Sequence, residues 1–430
     1  MSFRKVLFWM HLTAGVTAGL VILVMSVTGV MLTYERQITE WADGFSVTPP
    51  TPDTRPLGVE QLTAIARDGG RGELASITLR AEPAPAAFSF GRGPIVFLDP
   101  YTGKVLGEGS SRARSFFRAV TDWHRWLGQS GDARPLARAL TGAANLIFLF
   151  IVLSGIYLWW PKSLRLRSLR PITAFQGGLA SKARDFNWHN VFGFWSALPL
   201  AFVVASGVVM SYPWANDLVY RLAGSEPPRR GPAPARPGPG GPGAEARTAG
   251  AKPEVTLAGL DRAWSTAQGQ MAGWRTATLR VPTSPGAPFA FSFDTSSGAR
   301  RPSTRAQVVV DRWTGEVVRR EPYASQPRGQ KVRGWLRFIH TGEAFGAFGQ
   351  TVAGLASAGA VMLVWSGLSL ALRRFAAFRK RRSRQPTAFG IGLLGLGSSL
   401  RKGVEHSVGY SLATPPHATT REAQGRKTAT

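Results

Sequence analysis

The chain has 430 residues, 44% of them hydrophobic and 18% charged, with a formal net charge of +27 and no cysteine. The missing cysteines exclude disulfides, thiolate nucleophiles, iron–sulfur clusters, Cys-ligated zinc and thioether-attached haem, so any redox cofactor has to be held by other side chains. The surplus of Lys and Arg gathers beside apolar stretches, and no helix-turn-helix, RNP-like or zinc-finger pattern accompanies it, which argues against nucleic acid as a partner.

Four stretches, residues 6–34, 140–160, 189–212 and 348–372, are long and apolar enough to cross a bilayer, which takes about 20 helical residues. Taken with their flanks, they divide the chain in order. A first transmembrane helix at 1–36 has no small-x-small cleavage site behind it and is read as retained. An α+β domain follows at 37–115, then a His-containing segment with the second helix at 116–160, a loop at 161–187 and a third helix at 188–213. A second α+β domain occupies 214–330, a His-containing segment with the fourth helix 331–373, and a basic tail 374–430. Residues 57–67 and 257–268 have helical spacing of apolar residues. Residues 224–253, mostly Pro, Gly, Ala and Arg, cannot bury a core and read as a disordered loop.

Arg4 and Lys5 precede the first span, Lys162, Arg165, Arg167 and Arg170 follow the second, and a basic run from Arg373 to Arg384 follows the fourth. The positive-inside rule makes these flanks cytoplasmic, so both termini and the 161–187 loop lie inside and both α+β domains are exported.

The two halves repeat. His11 is followed by Gly15, Gly29 and Tyr34, and His189 by Gly193, Gly207 and Tyr212, at the same spacings. Ser154-Gly155 of the second span corresponds to Ser366-Gly367 of the fourth. In the exported segments, Ser76–Arg80, residues 87–90 and the turn Asp99-Pro100-Tyr101-Thr102-Gly103 recur as Thr276–Arg280, residues 290–293 and Asp311-Arg312-Trp313-Thr314-Gly315. Alternation of β-branched and aromatic residues around such turns reads as antiparallel strands. The fold expected is an α-helical integral membrane protein of four transmembrane helices in two parallel repeats about an axis along the membrane normal, carrying two small α+β domains.

Four of the six histidines stand at span ends: His11 and His189 on the cytoplasmic side, His124 and His340 on the exported side. Four residues after each comes a small residue, Gly15, Gly193, Gly128 and Ala344, which on a continuous helix would share the histidine's face and leave room for a flat macrocycle. Bis-imidazole haem fits this pattern; zinc and copper, which want three or four close ligands, fit less well. Helix ends at one depth can share an iron and opposite ends cannot, so the pairs expected are His11 with His189 and His124 with His340, with two haems b. Arg125 and Arg337, beside the outer histidines, are candidates for haem propionates. Gly390-Ile391-Gly392-Leu393-Leu394-Gly395 spells a dinucleotide fingerprint, but without a βαβ unit it carries no nucleotide assignment.

The His-x-x-x-Gly entries, the Ser/Thr-Gly pairs and the Asp-x-x-Thr-Gly turns resemble the bacterial inner-membrane proteins with PepSY domains and PepSY-associated transmembrane helices, and within them the ferric-siderophore reductases. The resemblance covers most of residues 1–375 and implies PepSY-like periplasmic domains and a haem-containing oxidoreductase. Such a protein passes electrons from a quinol or a cytoplasmic reductase to a ferric siderophore. The competing expectation is a cofactor-free membrane protein whose PepSY domains bind peptides or modulate a peptidase. The excess of Arg and Lys in the second exported segment suggests, for the first reading, a basic cleft that attracts anionic chelates.

Overall fold

A computed structural model describes residues 2–91, 93–161, 165–228, 256–284 and 286–383. Residues 229–253 of the Pro/Gly-rich stretch, the glycines of 390–395 and the tail beyond Ser383 lie outside the described residues. The first half runs α1 (Phe3–Leu32), α2 (Glu35–Asp43), α3 (Val59–Arg67), β1 (Ser76–Arg80), β2 (Ala86–Ser89), β3 (Ile95–Leu98), β4 (Val105–Glu108), α4 (Ser111–Trp126) and α5 (Arg134–Trp159). After α6 (Leu166–Thr173) the second half repeats this order as α7 (Ser181–Ser211), α8 (Pro213–Leu222), α9 (Leu260–Gly269), β5 (Thr276–Arg280), β6 (Phe289–Asp294), β7 (Arg305–Val310), β8 (Val317–Pro322), α10 (Arg328–His340) and α11 (Gly346–Ser383).

Four helical segments, Phe3–Leu32, Gly131–Trp159, Ser181–Ser211 and Glu343–Ser383, are long and apolar enough to span a membrane. Small residues bring them together, as is usual where no hydrophobic effect drives helices to associate in lipid. Gly19 of α1 faces Val364 and Leu368 of α11, and Gly359 of α11 faces Ser196 of α7. Between them Ala18, Ile22 and Ala144 form one apolar cluster and Val152, Leu200, Ala356 and Ala360 another, with Phe148 packed against both. The chain divides into two compact units, residues 1–373 and 374–430, and of the second the described residues 374–383 are helical, basic and exposed.

The strands form one eight-stranded antiparallel sheet in the order β4-β3-β2-β1-β5-β6-β7-β8. This corrects the expectation of two separate α+β domains. Each four-stranded half would leave β1 or β5 as an edge with unpaired N–H and C=O groups, and pairing the two strands satisfies both edges at once. The seam is centred on equivalent residues: Thr78 stands opposite Thr278, their hydroxyls 3.2 Å apart, with Ile77 opposite Leu279. The helices on the sheet obey the same two-fold relation, the Glu60 amide donating to Asp261 Oδ1 at 3.0 Å and the Asp261 amide to Glu60 Oε1 at 3.2 Å. Leu62, Ile77, Phe88, Leu98, Leu260, Leu279, Phe291 and Val308 fill a single core beneath α3 and α9. The Asp-x-x-Thr-Gly turns close as the sequence predicts. Asp311 Oδ1 accepts the amides of Trp313 and Thr314 at 2.8 Å, and Gly315 takes φ +76°, a left-handed geometry that suits glycine.

Because one core serves both halves, Leu279→Ala is expected to destabilise the sheet by about 2–5 kcal/mol. Hydrogen exchange should lose protection in β2 and β3 as well as in β5 and β6. Loss confined to the second half would contradict a single cooperative sheet.

Candidate functional site

Each of the four span-end histidines reaches across to another helix and meets the hydroxyl of a Ser/Thr-Gly pair through Nδ1. His11 on α1 meets Ser154 Oγ on α5 at 2.8 Å, and its counterpart His189 on α7 meets Ser366 Oγ on α11 at 3.0 Å. At the other end, His124 on α4 meets Thr28 Oγ1 on α1 at 3.0 Å, and His340 on α10 meets Ser206 Oγ on α7 at 3.2 Å. All four hydroxyl residues are buried. The following glycine gives the ring room: a Cβ on Gly155, Gly367 or Gly29 would stand 3.3–3.6 Å from Cε1 of His11, His189 or His124 respectively.

These bonds fix the tautomer. Each hydroxyl also lies within bonding distance of a carbonyl one turn back, Ile151 O, Val24 O, Val203 O and Met362 O for Ser154, Thr28, Ser206 and Ser366, at 2.6–3.1 Å. With its own proton given to the backbone, the hydroxyl presents a lone pair to the imidazole, so Nδ1 carries the hydrogen. His340 makes the point independently, because its Nδ1 is also 2.8 Å from Val203 O, which can only accept. In every case Nε2 is left with its lone pair, and no described residue hydrogen-bonds it. A neutral imidazole held through Nδ1–H is the usual form of a metal-ligating histidine.

The histidines stand in two pairs. The His124 and His340 rings have centroids 6.4 Å apart at an interplanar angle of 65°, close to the roughly 6 Å of two imidazoles sharing one metal through ~2 Å bonds. His11 and His189 occupy corresponding places near the N-terminal ends of α1 and α7, each bonded to the serine of a Ser-Gly pair. From His11 to Thr28, which holds His124, α1 rises about 25 Å at 1.5 Å per residue. The pairs therefore lie near opposite ends of the spanning helices. Among the described residues no three or more His, Cys, Asp or Glu gather as a tetrahedral metal would need.

The small residues divide. Gly15 and Gly193 do sit one turn after His11 and His189 on continuous helix, and a Cβ on Gly15 would enter open space. Gly128 and Ala344 do not continue a histidine's helical face. Helix α4 ends at Trp126 with Leu127 and Gly128 both left-handed, at φ 51° and 73°, and α10 ends at His340, leaving Ala344 fully buried in a separate 3-10 turn. The chain has to bend there to pass from an outlying helix into a spanning one. Arg125 and Arg337 flank the outer pair, their guanidinium groups over the rings of Trp126 and Phe338 at 4.6 and 5.5 Å.

Residues 8–374 match the family described as PepSY-associated TM region. The chain belongs to that family. No curated protein matches it. In this PepSY-associated protein the serines and threonine of the Ser/Thr-Gly pairs were visible in the sequence only as markers of the repeat, because their partners lie on other helices. A second feature escaped the sequence reading. Asp185, one turn before His189, is almost fully buried and binds α7 to α11, accepting from Ser369 Oγ at 2.8 Å and Arg373 Nη2 at 3.1 Å, with Arg184 at 3.0 Å.

A cleft of about 880 Å3 lies between the polar face of the sheet, α2 and the start of α10. It is not the basic cleft that the charge surplus suggested. Arg80 pairs with Glu40 at 3.0 Å, Arg275 with Glu82, and Arg305 with Asp294 at 3.4 Å. Partial burial opposes ionisation of Asp294, but hydrogen bonds from Ser296 and Thr304 and the Arg305 charge outweigh it and hold the carboxyl below the usual carboxylate range. A depressed folded value means that the stabilisation is complete above the ordinary carboxylate pKa of about 4 and is lost as pH falls through the folded value. Acid titration of unfolding should therefore show a shallower acid limb for Asp294→Asn than for the wild type. Identical limbs would mean that this pair contributes nothing.

Proposed function

We propose that this protein is a haem-dependent transmembrane oxidoreductase that carries electrons across the bacterial inner membrane and reduces ferric siderophores on the side of the sheet. The observation that carries the reading is the set of four imidazoles, in two pairs near opposite ends of the bundle, each protonated at Nδ1 by its hydrogen bond and each with Nε2 open. Haem b fits this donor set: two neutral imidazoles per iron, no third His, Cys, Asp or Glu gathered with them among the described residues, and glycines beside three of the rings. Bound there, each haem would supply a one-electron Fe(III)/Fe(II) couple.

The chain's own residues do the rest. His11 with His189, and His124 with His340, would hold the two haems through Nε2; Ser154, Ser366, Thr28 and Ser206 orient them and raise their basicity. Gly15 and Gly193 leave space beside the inner pair, and Arg125 and Arg337 are the basic groups available to propionates at the outer one. Haem held by these histidines would supply one electron to the ferric chelate without a bond forming, and Fe(III) of the chelate would become Fe(II). The reductant is a quinol or a cytoplasmic reductase. Arg4, Lys5, Arg165 and Arg170 flank the His11/His189 end, which by the positive-inside rule puts that end and both termini in the cytoplasm and the sheet in the periplasm.

Two measurements test this. Reduced-minus-oxidised spectra of detergent-purified protein should show b-type bands, with His11→Ala and His189→Ala removing one component and His124→Ala and His340→Ala another. Ser154→Ala should weaken retention of the first component by roughly 10–100-fold. A colourless wild type would discard the reading in favour of the cofactor-free alternative. For topology, reporter fusions at Gly177 and Gly240 are expected on opposite sides, and two cytoplasmic signals would overturn the orientation.

A further inference from the structure

We infer that Arg125, Arg134 and Arg138, gathered beside Trp126 on the side of the sheet, hold the phosphate of an anionic phospholipid in the adjoining leaflet. The inference is independent of the haem reading.

The chain brings the three together by turning back between two helices. Helix α4 ends at Trp126, Leu127 and Gly128 take left-handed conformations, and α5 starts at Arg134. Thr141 Oγ1 on α5 lies 3.0 Å from Arg125 O and ties the two helix ends together. The Arg134 guanidinium then stands 3.4 Å from the centre of the Trp126 ring and that of Arg125 4.6 Å from it, so two cations crowd one indole. Arg138 follows Arg134 by one turn on the same face of α5. Burial and the charges of Arg138 and Arg134 pull the Arg125 guanidinium below its ordinary pKa, and Asp122 opposes them only in part. No ion pair of the described residues includes any of the three arginines, or Asp122 or Asp132 beside them. Like charges held this close repel, and an anion among them reverses the sign of the interaction.

Position decides which anion. Arg134 and Arg138 occupy the first turns of Gly131–Trp159, a segment long and apolar enough to span the membrane, and no charged residue follows Arg138 until Lys162. Leu136 and Leu140 on the same turns are exposed, which supplies apolar surface at the level where acyl chains begin. Guanidinium groups bind phosphate oxygens in pairs, and basic pockets beside spanning helices take anionic headgroups. Topology gives no reason for the cluster, because the positive-inside rule calls for basic flanks at the opposite, His11 end. The repeat does not require it either: the corresponding residues of the second half are Thr341, Gly346 and Gln350.

The chain has no cysteine, so Leu136→Cys places a single environment-sensitive fluorophore between Arg134 and Arg138. In detergent-purified full-length protein, dioctanoyl phosphatidylglycerol should change its emission at a concentration roughly tenfold lower than dioctanoyl phosphatidylcholine, and raising salt from about 50 to about 500 mM should weaken the response. Adding Arg134→Gln with Arg138→Gln should raise the half-saturating concentration by roughly tenfold or more. Arg165→Gln with Arg170→Gln, at the other end of the bundle, should leave it unchanged. Equal responses to the two lipids, or a phosphatidylglycerol response that survives Arg134→Gln with Arg138→Gln, would overturn the inference. Inorganic phosphate displacing the lipid at a comparable concentration would assign the cluster to the free anion. Loss of a haem component in the Arg134→Gln, Arg138→Gln protein would assign it to a propionate, and either result contradicts a lipid site.

Discussion

The hydrogen bond from an imidazole Nδ1–H to a buried hydroxyl on a neighbouring helix is the contact on which the arrangement turns. It appears four times, twice at each end of the bundle, and each instance joins two helices that are distant in sequence. In a spanning bundle such a bond does two things at once. It satisfies a polar ring where water is scarce, and it sets the ring's rotation and tautomer, so that Nε2 is the atom presented to whatever lies between the pair. The glycine after three of the four hydroxyl residues lies against the ring, where an added Cβ would stand 3.3–3.6 Å from Cε1, and the fourth, Gly207, lies against Asn145.

Duplication supplies the geometry that makes pairs out of single histidines. A two-fold exchange runs through the sheet, where Thr78 meets Thr278 and Glu60 exchanges bonds with Asp261, and in the bundle the elements recur in the same order, α1 and α5 and then α7 and α11. The relation is broken where the two halves do different work. Asp185 clasps Ser369 and Arg373 beside His189, while the corresponding place beside His11 carries no such acid. Phe148 packs against Ala356 and Ala360, so one large side chain from a single half fills the middle of the bundle.

The sheet has a similar double character. Its apolar face buries a core under α3 and α9, and its polar face is a wall of compensated charges overlooking the helices. A chain with net charge +27 thus lines this cleft with five arginines and four carboxylates. The surplus of base resides elsewhere, beside the spans, where it bears on topology and lipid contact, and in residues 213–347 outside the cleft lining.

The sequence alone determined the spans, the duplication, the strand turns and the four histidines, because each is written in local pattern: hydropathy over some twenty residues, a recurring spacing, an Asp-x-x-Thr-Gly signature. It also determined which histidines could meet, since depth in a bilayer follows from position along a helix. Tertiary structure decided what depends on contacts between segments far apart in the chain. The β1–β5 seam turned two expected domains into one sheet. The Ser/Thr-Gly pairs became imidazole acceptors only once α5 stood beside α1 and α11 beside α7. Gly128 and Ala344 fell off the histidine faces because α4 and α10 end where the chain must bend into the membrane. The ion pairs of the cleft arose from arginines and carboxylates that are as many as some two hundred residues apart, and a running count of charge along the chain has no means of recording such pairs.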